Sequence, residues 1–146
     1  MHRAAALLLM STACQPQRSD GPVEVIVTAS DYAFQLPDSL RVGRTLFHFK
    51  NAGKVPHEMG MALLKPGVTL TQVLELMGAG GSPDSLLDGI IGILIAQPGV
   101  STIGALSVDL LPGRTYALIC NFQDGPDQPP HAALGMVASR TTLEAP

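Results

Sequence analysis

Val23, Val25, Val27 and Ala29 alternate with Glu24, Ile26, Thr28 and Ser30, and a period of two predicts a strand with one buried face. Asp31–Pro37 is turn-rich and carries Tyr32 and Phe34, and Leu40 and Val42 suggest a short strand before Gly43. The alternation returns over Arg44–Asn51. Thr45, Phe47 and Phe49 face one way there, and Leu46, His48 and Lys50 the other, so His48 is read as solvent-facing. After a turn at Asn51-Ala52-Gly53, His57, Met59, Met61 and Leu63 share one face of a strand. Met59 and Met61 beside Leu63 read as core, and Glu58 falls on the opposite, solvated side.

Residues 66–98 break the β pattern. Thr69-Leu70-Thr71-Gln72 matches a capping box, and Leu70, Val73, Leu74 and Met77 follow at helical spacing. Gly78, Gly80 and Gly81 stop that helix. Ser82-Pro83-Asp84 is a second helix-start signature, with Pro at the first helical position and an acid near the positive end of the dipole. Leu86–Leu94 are apolar nearly all round, which predicts a helical segment buried against the rest of the domain and remote from any chemistry. Alternation resumes at Leu106, Val108 and Leu110. Pro112-Gly113 then turns the chain, and Tyr116, Leu118, Cys120 and Phe122 line one strand face. A loop spans 123–130, and His131–Gly135 leads into a last strand over about residues 136–143. Short strands punctuated by Gly/Pro turns, with one helical insertion over 66–98, predict a mainly β protein built as a sandwich.

The N-terminus is read as leader rather than fold. Arg3 precedes the apolar run Ala4–Met10, and the small residues Ser11-Thr12-Ala13 then lead to Cys14, the layout of an export signal. Ser-Thr-Ala-Cys also resembles the lipobox of bacterial lipoproteins, which implies a lipid-modified Cys14 as first mature residue and a membrane anchor. The expected organisation is a signal peptide over 1–13, a polar tether over 14–21 and one domain over 22–146. At 146 residues the chain is long enough for one such domain with a hydrophobic core. A net charge of −3 with no Lys/Arg cluster, and the absence of Trp, argue against a nucleic-acid partner. Of the two cysteines, Cys14 lies in the leader region, so Cys120 has no disulfide partner. It is then either a small buried hydrophobe or a metal-bound thiolate.

Four residues stand out for soft-metal chemistry: His57, Cys120, His131 and Met136. Two imidazoles, a thiolate and a weak thioether form the ligand set of a blue-copper centre. The segments around them resemble the cupredoxin family, specifically its plastocyanin-like members. Asn51-Ala52-Gly53-Lys54-Val55-Pro56-His57 is similar to the family's Asn-x-Gly turn before Pro-His. Pro130-His131-Ala132-Ala133-Leu134-Gly135-Met136-Val137 is similar to its closing Pro-His-x-x-x-Gly-Met-Val loop, and Tyr116–Cys120 to the strand that ends in the thiolate.

That resemblance implies a Greek-key β-sandwich with one copper ion held by His57, Cys120, His131 and a weak axial Met136. It further implies a single-electron carrier, not an enzyme, and the export signal would place it in the periplasm or at the cell surface. A redox protein would dock near an exposed His131. The sequence departs from the family in the spacing of Cys120 and His131. Ten residues, Asn121–Pro130, intervene where the family has two to four, which reads as an insertion at the start of the ligand loop. A Cu(I) storage or delivery protein, and a metal-free interaction module of the same fold, are the alternative functions.

Overall fold

The computed structural model describes residues 21–143. The leader, Cys14 and the tether up to residue 20 lie outside the described residues. Alternating segments become strands where expected in β1 (Val23–Ser30), β3 (Gly43–Asn51) and β4 (His57–Leu64), and the turn-rich Asp31–Pro37 adds the short strand β2 (Ala33–Gln35). In place of the strand expected at Leu40–Val42 there is only an isolated bridge from Leu40 to Thr142. After β5 (Leu87–Ala96) come β6 (Leu106–Leu110), β7 (Thr115–Ile119) and β8 (Val137–Thr141). They form two four-stranded sheets, ordered β2-β1-β3-β6 and β5-β4-β7-β8. The chain changes sheet after β3, after β5 and after β6, so the two inner faces close on each other as a sandwich.

The period of two decides which side chains meet between the sheets. Val25, Val27 and Ala29 of β1 and Phe47 and Phe49 of β3 are buried on one side. Their registers match, because β1 runs parallel to β3 with Val25 opposite Phe47 and Val27 opposite Phe49. Met59 and Met61 of β4 and Tyr116 and Leu118 of β7 supply the other side. Burying each such side chain contributes about 1.5–3 kcal/mol. Tyr116 is only 1% exposed, and its hydroxyl accepts the Leu111 N–H at 2.9 Å, so its polar end is not left unpaired. His48 lies on the outer face of β3, with Nε2 3.5 Å from Glu24 Oε2.

The segment 66–98 divides into two kinds of structure. Helix α1 (Leu70–Gly78) starts with the expected box: Thr69 Oγ1 accepts the Gln72 N–H, and Gln72 Oε1 accepts the Thr69 N–H at 2.9 Å. Its buried residue is Val73, with Leu74 only half-buried. Val73 packs on Leu64 and Ala117 from outside the second sheet. The second helix start yields only a single 3-10 turn, Pro83–Leu86. From Leu87 the chain is strand β5, antiparallel to β4 from Leu64↔Leu87 to His57↔Ala96.

The helical reading of Leu86–Leu94 is thus corrected, and the composition supplies the reason. Ile90, Ile91, Ile93 and Ile95 are β-branched, and Gly89 and Gly92 lower helix propensity, so the segment suits a pleated edge better than a helix. It is not buried all round either, since Ile90 is 71% exposed. The strand runs on to Ala96, which pairs with His57.

These positions separate by stability. Leu64→Ala, at a fully buried site, should cost about 2–5 kcal/mol. Ile90→Thr, on the outer face of the edge strand, should stay within about 0.5 kcal/mol of wild type. Urea unfolding of both variants measures the difference.

Candidate metal centre

Strand direction places the site. β4 and β7 are antiparallel, with Gly60 opposite Ile119, so the start of β4 and the end of β7 lie at the same end of the sandwich. His57 opens β4 and Cys120 directly follows β7. β8 is antiparallel to β7, with Ile119 opposite Val137, so the residues leading into β8 return to that same end. These are His131–Leu134, a 3-10 turn, and Met136.

The backbone locks the closing loop onto Cys120. Ala132 N–H donates to Cys120 O at 2.8 Å, Cys120 N–H to Met136 O at 3.2 Å, and His131 N–H to Phe122 O at 2.7 Å. Gly135 carries φ of 102°, a left-handed conformation in which glycine has no Cβ penalty. That reversal brings the Met136 N–H back to His131 O at 2.9 Å.

On the other side, Asn51 shapes the approach to His57. Its side chain accepts the Gly53 N–H at 2.8 Å and donates to Val55 O at 2.8 Å and Ala96 O at 3.0 Å. Gly53 leaves room for these side chains, because a Cβ there would lie 2.6 Å from Asp31 Oδ1 and 3.0 Å from His57 Nε2 and force one of them to shift.

His57, Cys120, His131 and Met136 all converge, each no more than 1% exposed. His57 Nδ1 and His131 Nδ1 are 3.1 Å apart, and Cys120 Sγ lies 4.0 Å from the first and 3.4 Å from the second. Metal–nitrogen bonds run about 2.0–2.1 Å and metal–sulfur bonds about 2.3 Å, so one first-row ion can reach all three atoms. Met136, fully buried, joins the same core cluster as Cys120. Apart from the backbone N–H groups of Glu58, at 3.4 Å, and Phe122, which bond the sulfur, the three donor atoms have one another as partners. Buried polar atoms left in that state are expected where a ligand completes them.

The electrostatics fit neutral imidazole and an initially protonated thiol. Burial lowers the His57 pKa, and the neighbouring His131 lowers it further, against the opposing pull of Asp31 and Asp124. Burial raises the Cys120 thiol pKa, offset in part by the backbone N–H groups of Glu58 and Phe122. Metal uptake at neutral pH therefore has to displace the thiol proton.

Two sequence-based expectations need correction here. His131 is not exposed; it is 1% accessible. The ten-residue insertion folds back over it, and Asp124 Oδ1 sits 3.0 Å from its Nε2. The Tyr32 hydroxyl donates to Oδ2 of the same carboxylate, and the Tyr32 ring meets the His131 ring edge-on with centroids 5.0 Å apart. That hydrogen bond raises the Tyr32 pKa and lowers that of Asp124. Glu58 is not solvated either. It is 8% exposed, and its Oε1 accepts the Asn121 backbone N–H at 2.9 Å and the side-chain amide at 3.3 Å. Glu58 thereby ties the residue after Cys120 to β4.

Sequence reasoning missed Asp31, Tyr32 and Asp124. Tyr32 had a weak signal, as a large aromatic inside a turn. It holds φ of 63°, uncommon for a residue other than glycine. Asp124 had none, because an acid in a polar loop has no periodicity that points to its partner.

No protein-family model matches the chain, and no curated protein matches it. Solved structures do. A dithionite-reduced auracyanin from the photosynthetic bacterium Roseiflexus castenholzii superposes with a TM-score of 0.54 at 21% identity, over 86% of this chain and 100% of that one. Auracyanin B superposes with a TM-score of 0.53, also at 21% identity, over 88% of this chain and 93% of its own. The shared architecture is the cupredoxin-like β-sandwich.

Glu58→Ala should leave the Asn121 amides without their acceptor and cost about 1–3 kcal/mol. Glu58→Gln, which keeps an acceptor oxygen, should cost less than half of that. Thermal unfolding of the two variants measures the order.

Proposed function

We propose that this chain is a copper protein that passes single electrons outside the cytoplasm. His57, Cys120 and His131 are the strong ligands and Met136 the weak axial one. The observation that carries the reading is the convergence of two imidazole Nδ1 atoms and a thiol at one buried end of the sandwich, all within 4.8 Å of one another. Two His, one Cys and a weak Met are the donors that select a blue-copper centre over zinc or iron. The auracyanin from Roseiflexus castenholzii is described in a dithionite-reduced form, so a redox role has a precedent on this fold.

A copper ion held there would supply one-electron chemistry by alternating between Cu(II) and Cu(I). The protein's own residues set the conditions for it. His57 and His131 offer imidazole nitrogens, which suit both oxidation states. Cys120 gives up its proton, and the Glu58 N–H steadies the resulting thiolate. Fixation of the ligands by β4, β7 and the backbone-bonded closing loop limits their rearrangement as the charge changes.

The reading is of a carrier, not an enzyme. His48, which would be needed for a second centre, sits on the outer face beside Glu24. With His131 covered, a redox protein partner would dock on the exposed turn next to it, at Ala133 and the 44%-exposed Leu134. We place the protein outside the cytoplasm, periplasmic or at the cell surface, on the leader-like N-terminus and Cys14. Among the described residues no helix is long and apolar enough to cross a membrane, and attachment in this reading is through lipid on Cys14.

Adding Cu(II) to the purified protein should produce an intense visible band. Cys120→Ser should abolish it, whereas Met136→Leu should keep copper bound and shift the potential. A colourless wild type that binds Cu(I) would favour storage or delivery, and one that binds neither ion would favour a metal-free interaction module. The anchor is tested separately. Cys14→Ser should move the protein from the membrane to the soluble exported fraction, and a wild type already fully soluble there removes the lipid from the reading.

A further inference from the structure

The inserted loop does more than cover His131. An ionised carboxylate can only accept hydrogen bonds, so with Asp124 Oδ1 3.0 Å from His131 Nε2, that nitrogen carries the hydrogen. His131 Nδ1 is then a bare lone pair, aimed at Cys120 Sγ and at His57 Nδ1.

We propose that Asp124 is a positioning residue that fixes His131 as the Nε2–H tautomer, so that Nδ1 keeps the lone pair a metal would take. Carboxylates that hold a ligating histidine in this way fix both ring orientation and tautomer. Tyr32 binds the other oxygen, Oδ2, so it steadies the carboxylate without choosing the tautomer. The inference rests on the metal-binding reading of this site.

The test is nitrogen-15 NMR of the histidine rings at neutral pH, without metal and with Cu(I). Wild type should show His131 protonated at Nε2 both without metal and with Cu(I). Asp124→Ala should give His131 a mixture of tautomers and lower copper affinity about 10–100-fold. Tyr32→Phe should leave tautomer and affinity as in wild type. A latch that merely closed the loop would make the two variants alike, and that result overturns the proposal. So does His131 protonated at Nδ1 in wild type, or Asp124→Ala with unchanged tautomer and affinity. A wild type that binds no copper refutes the copper reading, while the metal-free spectra still decide the tautomers.

Discussion

The antiparallel pairing of β4 with β7 and of β7 with β8 is the constraint on which the site depends. Because each strand reverses its neighbour, the first residue of β4, the residue after β7 and the residues before β8 all fall at one end of the second sheet. Ligands 63 and 11 positions apart in the chain are thereby brought within 4.0 Å. No single interaction at the site creates that convergence. It is stabilised by the apolar contacts of Met59, Met61, Tyr116 and Leu118 beneath it, so core packing and ligand geometry are one problem.

Polar groups placed at the end of an apolar core must find partners there, since an unpaired buried donor or acceptor costs about 1–3 kcal/mol. Asn51 uses its donors and its acceptor in shaping the turn before His57. Glu58 satisfies Asn121, and Asp124 satisfies His131 and Tyr32 together. The sulfur and the two facing nitrogens are turned toward one another, the set a soft metal would take.

The insertion between Cys120 and His131 changes where this site meets the outside. A short loop would leave the His131 edge open, whereas this one returns a carboxylate to it and closes the gap with the Tyr32 ring. Electron exchange in the proposed role would therefore pass through a covered ligand. Its contact surface is displaced to the neighbouring turn, where Ala133 and Leu134 are exposed.

Much was legible in the sequence because it is local. Alternation over Val23–Ser30 and Arg44–Asn51, the capping box at Thr69 and the Pro-His and His-x-x-x-Gly-Met segments each state their structure within a few residues. The four candidate ligand positions could be picked out for the same reason. What only the tertiary structure decided is non-local. Leu86–Leu94 reads as helix from its apolar run alone, and Leu87–Ala96 becomes a strand because the edge of β4 is there to pair with it. Glu58 is buried because Asn121 comes across from the next strand, and His131 is buried because Asp124 and Tyr32 reach it from two other loops. Periodicity reports which face a residue takes on its own strand. Which polar group waits on that face depends on chain reversals that no local pattern encodes.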